Sequence, residues 1–589
     1  MANRLTDAER QAREARGGWL AFASAAVAMA AGLIVLLDRI GLPEQGAKWL
    51  AILVVAVALS LLGLFLRAAR ISTFYVAGRA VPASWSGLAL AGIMAGMGLI
   101  FLPPLPSGAS GSTFLTGIGA GIAGLALLTA PLIRKSGAFS VTELLSERFP
   151  TLPARLCIVV LAAAVCALVA LAGLSEAVQL LGVQMQLSPG PAVGLSSAIL
   201  LLTLLPGGLR GLTWGAAAAG GLLLAALTAP ILLLVGQDIA LPAPWIGSPE
   251  AWAHAAGRLG SWGGLAFGAP GWLAVPIALG LMAFAPVLAL STTARDRARA
   301  QYSVVTGTVW LVLIGFAAVT TLALGAIGLD VSLIGQRPDR LADVFYRASA
   351  DGFVSICGQH PGGPAQARAA CAGSPGFAGV LRASDISATV DFLTFGLSDT
   401  QALGGAWRAM TLAGWFGASL ALAAAGLQGL ATAIGHDLVY RLHDRGAITS
   451  RRLATTRLAL LAAGLLVGMA VLRFHPDTRV LLALSLALCA VGIAPLLMLS
   501  FWPPAGGLEA VVALATGLGV TAVAGKIMLV FGAPMAEAMG AGVLAGAAAA
   551  FTAGVLASLR QGADRTHGAA FRHRMFQAGK EVLIPDKGA

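Results

Sequence analysis

The feature that most constrains this chain is its repetition of unbroken apolar runs. A hydrocarbon core of about 30 Å needs roughly 20 apolar residues of helix. Fourteen such stretches can be read, at about 19–37, 49–66, 85–105, 112–133, 156–181, 191–205, 215–235, 272–290, 304–329, 407–435, 455–473, 480–500, 508–529 and 536–558. Trp19, Trp49, Trp85, Trp272 and Trp407 stand at their starts as interface anchors. The runs are rich in Ala, Leu and Gly without period-two alternation, which argues for helices over barrel strands. Only 11% of the 589 residues are charged, against about 25% in soluble proteins. That is too few to clothe several soluble domains, and it excludes a cytosolic enzyme, a nucleic-acid binder and a disordered scaffold. The lipid bilayer is an expected partner and nucleic acid is not.

The net charge of +12 gains meaning by position. One set of loops carries Arg4, Arg10, Arg13 and Arg16; Arg67, Arg70 and Arg79; Arg134, Lys135, Arg148 and Arg155; Arg210; Arg295, Arg297 and Arg299; Arg441 to Arg457; and the tail from Arg560 to Lys587. The short loops of the other set hold only Arg39, Lys48, Arg258, Arg473 and Arg479. Basic loops stay in the cytoplasm, so both termini are expected there, in a bacterial inner membrane, with an even number of spans. The first run is longer than a signal-peptide core and follows a segment of mixed charge, so it reads as an uncleaved helix.

Cys157, Cys166 and Cys489 fall inside apolar runs, while Cys357 and Cys371 share the long outer loop 330–406. Disulfides persist outside the cytoplasm, so those two are expected to pair; two free loop thiols are the alternative. No CxxC or HExxH occurs, and no metal site, cofactor or catalytic residue is expected.

Two runs look interrupted. The run 85–105 contains Gly92, Gly96 and Gly98 before Pro103, Pro104 and Pro106; the run 272–290 contains Gly280 and Pro286. Proline removes a donor and clashes with the preceding turn, and broken helices at membrane depth line cavities. The two runs are five apart and so cross in opposite directions, as in an inverted repeat with the binding site between broken helices. The expected repeats are 85–235 and 272–500, flanked by helix pairs at 19–66 and 508–558, an N-terminal segment 1–18 and a tail 559–589.

Four motifs add to this reading. Phe74-Tyr75-Val76-Ala77-Gly78-Arg79, Arg134-Lys135-Ser136-Gly137-Ala138-Phe139-Ser140-Val141-Thr142-Glu143, Gly207-Gly208-Leu209-Arg210-Gly211-Leu212-Thr213-Trp214 and Gly435-His436-Asp437-Leu438-Val439-Tyr440-Arg441 occur in this order at loops and helix ends. Over roughly 70–500 the chain resembles the sodium/solute symporter family, most closely its acetate/monocarboxylate permease branch. The resemblance implies an all-α polytopic membrane protein with a five-plus-five, leucine-transporter-type inverted-repeat core. It also implies uptake of a small organic solute driven by sodium or protons. Met94, Gly96, Met97, Gly98, Phe284, Pro286 and Gln428 are the expected solute-lining residues, and Ala95, Ser419, Thr432 and Glu176 the candidates for the coupling ion.

The sequence departs from the family at the ion site. The hydroxyl-rich run that completes a sodium site falls on Ala421-Leu422-Ala423-Ala424-Ala425, which has no side-chain oxygen. Sodium is a hard cation needing several oxygens, by the logic that governs calcium and magnesium. Backbone carbonyls freed around Gly92–Gly98 are a possible source. Glu176 reads as a headgroup-level residue or as a proton carrier. Gln428 and Thr432 read as cavity residues or as helix-to-helix hydrogen bonders. Glu143 and Arg210 read as positive-inside loop residues or as parts of an inner gate. Lys526 reads as a snorkelling residue. A non-transporting sensor or assembly subunit with the same fold is the competing function.

Overall fold

The computed structural model describes residues 40–576 apart from 42, 102–108, 236–239, 244–245, 262–270, 375–376, 396–403, 444–445 and 561–564. Among the described residues ten helices are long and apolar enough to cross a membrane, and two bent pairs bring the number to twelve. The expected fourteen is not reached, in part because the run 19–37 lies outside the described residues.

The elements used below are α1 (Glu44–Phe65), α2 (Ile71–Val76), α3 (Ala83–Phe101), α4 (Thr113–Ser136), α5 (Val141–Arg148), α6 (Leu152–Met185) and α7 (Pro189–Val235). They continue with α8 (Pro249–Ser261), α9 (Ala274–Met282), α10 (Ala285–Ser291), α11 (Arg297–Leu333), α12 (Gly405–Thr432), α13 (Thr449–Phe474), α14 (Thr478–Ser500), α15 (Gly507–Val530), α16 (Met535–Arg560) and α17 (Arg565–Phe576).

The runs expected at 191–205 and 215–235 form one element, α7, that doubles back. Gly208 supplies the reversal with φ 54° and ψ −143°, a conformation open only to glycine. A Cβ at Gly215 would lie 3.7 Å from the Thr203 methyl, whereas twelve residues of straight helix span about 18 Å. The Gly-Gly-Leu-Arg-Gly motif is therefore the tip of a helical hairpin.

The basic loops do gather at one end, called here the basic end. Arg79 donates to the Gly137 carbonyl, Arg134 to Ala294 and Arg295, Arg148 to Ser500 and Trp502, and Arg457 to Leu205 and Ala68. At the opposite end Lys48 donates to the Gln184 carbonyl and pairs with Glu44, which also meets Arg408. The segment between α11 and α12 builds a small unit there. Val354–Ile356 pairs antiparallel with Ile386–Ala388 over Phe345, Tyr346 and Phe392, and Cys357 is bonded to Cys371. Both Arg258 Nε and Nη2 grip Asp330 at the end of α11.

The small-residue runs are close-packing seams. A Cβ at Gly117 would meet Ala274 and Ile277, at Gly121 Leu281 and at Gly220 Gly92, so helix backbones approach as they do in small-xxx-small contacts. Lys526 on α15 is exposed.

Candidate functional site

Two regions compete for function: a crossing of α3 with α12 in the middle of the bundle, and a polar cluster at the basic end. The interruption expected in 85–105 does not fall at its glycines, because α3 is continuous from Ala83 to Phe101. Gly92 and Gly96 serve packing instead. A Cβ on Gly92 would sit 2.3 Å from the Ala216 oxygen, and one on Gly96 2.5 Å from the Ala418 oxygen and 3.0 Å from Leu422 Cβ. No carbonyl is freed there by unwinding. Pro103, Pro104 and Pro106 lie outside the described residues.

The other interruption is present. Helices α9 and α10 meet at a 50° bend, with Ala283 and Phe284 out of helical geometry between them. Pro286 takes the second position of α10, where its missing N–H would have lacked an intrahelical partner. The start of α10 nevertheless offers no free donor: Ala285 N–H meets Cys489 Sγ, and the Val287 and Leu288 N–H groups return to Phe284 O. An open helix N-terminus that could take a carboxylate is therefore not found at α10.

Met94, Ala95, Met97, Phe284 and Pro286 are buried and apolar, and a methyl added at Gly98 would meet nothing within 4 Å among the described residues. Gln428 is 3% exposed, and neither amide atom has a partner among the described residues; Trp415 Nε1, further back along α12, is likewise unpartnered. Trp415 has no signal in the sequence, since a tryptophan in an apolar run looks like any core residue. Ser419 and Thr432 do not come together. Each hydroxyl donates to the carbonyl one turn back in α12, to Trp415 and Gln428 respectively, and thirteen residues place them about 20 Å apart along the helix. They cannot hold one ion between them. Glu176 is 9% exposed while Gln179 is exposed, so Glu176 faces the bundle. Near the crossing, Ala421 and Ala424 join Thr203 of the α7 hairpin in lining a cavity of only about 20 Å³, room for about one water.

Three of the four sequence motifs meet in one cluster at the basic end, and the fourth packs beside it, with Gly208 against Phe74. After α2, the Val-Ala-Gly-Arg segment turns sharply: Ala77, Gly78 and Arg79 all have positive φ, and the chain bends by 103° into α3. This leaves Tyr75 buried, its hydroxyl bonded to Thr456 Oγ1 of α13. Ser140 caps α5 by accepting the Glu143 N–H, which aims the Glu143 carboxylate back at the Phe139 N–H, 2.7 Å away. Helix α12 runs on as a π-helical segment, Ala433–His443, a form that recurs at functional sites. Gly435 permits it to touch α13, since a Cβ there would lie 2.3 Å from Thr456 Oγ1.

The outcome is a buried constellation. His436 Nε2 stands 3.6 Å from Glu143 Oε2 and 3.9 Å from Asp437 Oδ1. Ser140 Oγ donates to Asp437 Oδ2 at 3.1 Å. Arg441 lies 3.8 Å from Glu143 Oε1. Arg452 Nη2 donates to His436 Nδ1 at 2.9 Å, and its guanidinium stacks 3.9 Å from the Tyr440 ring, with Tyr75 and Phe139 at 5.5 and 5.6 Å. Burial resists ionisation of Glu143, but contacts with His436, the Arg441 guanidinium and the Phe139 N–H outweigh it and hold the carboxyl down at about 2. Glu143 thus meets Arg441 and His436 at the motif junction. Arg452 and Thr456 carried no motif signal; only the fold brings them in.

On its other side α5 is gripped by the tail. Arg148 lies between the Phe149 and Phe571 rings, and Gly568 of α17 packs against Pro503 O and Arg148. Burial lowers Arg148 to about 10.

No family model matches the chain. It is 31% identical over 201 residues to an uncharacterized symporter of Cupriavidus necator, a match spanning 31% of this chain and 29% of that protein. The chain therefore spans less than a third of the length of that curated relative. Among solved structures, a Na+-coupled sialic acid symporter in a substrate-bound, outward-open state superposes with a TM-score of 0.62, covering 88% of this chain and 98% of that one at 15% identity. The two share a fold: an all-α polytopic bundle with the inverted-repeat core of the leucine-transporter type.

Proposed function

We propose that this chain is a secondary active symporter that moves a small organic solute by alternating access. The observation that carries the reading is the break at Ala283–Phe284, within a fold shared with a solved symporter. Paired interrupted helices are where such folds bind solute. The solute is a monocarboxylate such as acetate, supported by the motif resemblance, and Met94, Met97, Phe284 and Gln428 shape its site. The repeats run over 85–235 and 272–500. The basic end faces the cytoplasm of a bacterial cell, supported by the gathering of arginines there.

The coupling ion is a proton rather than sodium. Ala421–Ala425 supply no side-chain oxygen, and Gly96 abuts Ala418 directly. The same sealed crossing favours a second reading, a relative that keeps the fold and has lost transport. Reconstituted liposomes separate the two. Uptake of radiolabelled pyruvate, acetate and proline is followed under imposed proton or sodium gradients, with protein-free vesicles as baseline. Gradient-driven accumulation of a monocarboxylate is expected; no gradient-driven uptake of any of the three would leave the non-transporting reading standing.

A further inference from the structure

The basic-end cluster contains one acid more than its donors serve. Glu143 and Asp437 both face the same imidazole edge, at 3.6 and 3.9 Å from His436 Nε2. That imidazole carries a single proton. Arg452 donates to Nδ1 at 2.9 Å, and a guanidinium has no lone pair to offer. Nδ1 is therefore the acceptor, and Nε2 bears the only N–H.

One N–H does not satisfy two carboxylates. Glu143 has the remaining donors, the Phe139 N–H and Arg441. Asp437 has the Ser140 hydroxyl on Oδ2, and its Oδ1 has no hydrogen-bond partner among the described residues. It is 3% exposed. A buried carboxylate without a counter-ion is far costlier than a neutral carboxyl, and two adjoining carboxylates do not readily ionise together. The cation that acts on it, Arg441, is shared with Glu143. Arg452 stacks on Tyr440, and its Nε has no partner among the described residues. Among the described residues the other titratable groups around Asp437 are Tyr75 on α2, Glu143 on α5, Cys166 on α6, Arg452 on α13, and His436, Tyr440 and Arg441 on its own helix.

We propose that Asp437 is a proton-binding site of the basic-end gate, protonated while the gate is closed as here and ionised when opening admits water. The proton goes from the carboxyl to water on the basic side, and Arg441 is the cation that acts on the anion left behind. This rests on the symporter reading and names its coupling group, an acid the motif resemblance left without a role.

Infrared difference spectroscopy of the purified full-length protein in nanodiscs tests it. A C=O stretch of a neutral carboxyl is expected to grow in as the pH is lowered. The band should be lost in Asp437→Asn. In Glu143→Gln it should remain, with its midpoint moved to lower pH, because the neighbouring negative charge is gone; a merely structural role would not move it. Asp437→Glu should shift the band's frequency without deleting it, which covers a poorly folding Asn variant. A wild-type protein with no such band overturns the proposal, as does a band unchanged in Asp437→Asn and Asp437→Glu. Uptake failing under every gradient while the band titrates would remove the symporter reading alone, so the two fail separately.

Discussion

The α3–α12 crossing and the basic-end cluster lie on the same long helix and differ in almost everything. At the crossing, α12 presents Ala418 and Leu422 to a glycine of α3, backbone against backbone. A few turns on, the same helix becomes π-helical and places His436 and Asp437 beside Glu143 and two arginines. The crossing is held by contact of small residues, which gain from dispersion and lose quickly if pried apart. The cluster is held by desolvated hydrogen bonds, whose loss leaves charges stranded. One region is therefore sensitive to volume and the other to charge and pH.

The largest effect should come from the cluster. Glu143→Leu leaves the Phe139 N–H without its acceptor and removes the carboxylate beside His436 and Arg441, and should destabilise by about 3–5 kcal/mol, read as a lowered midpoint of thermal unfolding in detergent. A loss as small as that of an exposed ion pair would erase the contrast. Acid sharpens it next. Because Glu143 is held at about 2 against its ordinary 4.5, its contribution is present above about pH 4.5 and is lost as pH falls toward 2, by at most about 3 kcal/mol. Thermal midpoints should drop through that window in the parent chain and stay flatter in Glu143→Gln; parallel slopes would show that Glu143 is not responsible. The smallest effect belongs to the crossing. Gly96→Ala puts a methyl 2.5 Å from the Ala418 oxygen and should lower stability by about 1–3 kcal/mol. Gly98→Ala meets nothing among the described residues and should be neutral or gain up to about 1 kcal/mol from helix propensity. Equal responses at the two glycines would mean that α3 does not press on α12.

Much of the fold was legible because apolar runs and arginine positions are local signals. Among the described residues the runs from 49–66 onward fall on helices, with 272–290 on the bent α9–α10 pair and 191–205 and 215–235 on the two arms of α7, and the described basic loops meet at one end. The break near Pro286 was legible for the same reason, since proline acts on its own turn. The glycines of α3 misled. Glycine in a membrane helix signals either unwinding or close packing, and only the neighbour, here Ala216 or Ala418, says which. The burial of Glu176 was illegible for a similar reason, because it depends on which face of α6 meets α12.

By itself, then, the sequence determined that the chain crosses a membrane many times, which loops share a side, where a proline interrupts a helix and that residues 421–425 bring no oxygen ligands. The tertiary structure decided that Gly208 makes a hairpin and that α10 begins with its donors already engaged. It also decided that Tyr75, Glu143, His436, Asp437 and Arg452 surround one another, in a cluster whose Tyr75–Thr456 bond joins residues 381 positions apart. The physical reason is range. Hydropathy and proline geometry act within a few residues, while the state of a buried acid depends on which donors the fold brings within about 4 Å.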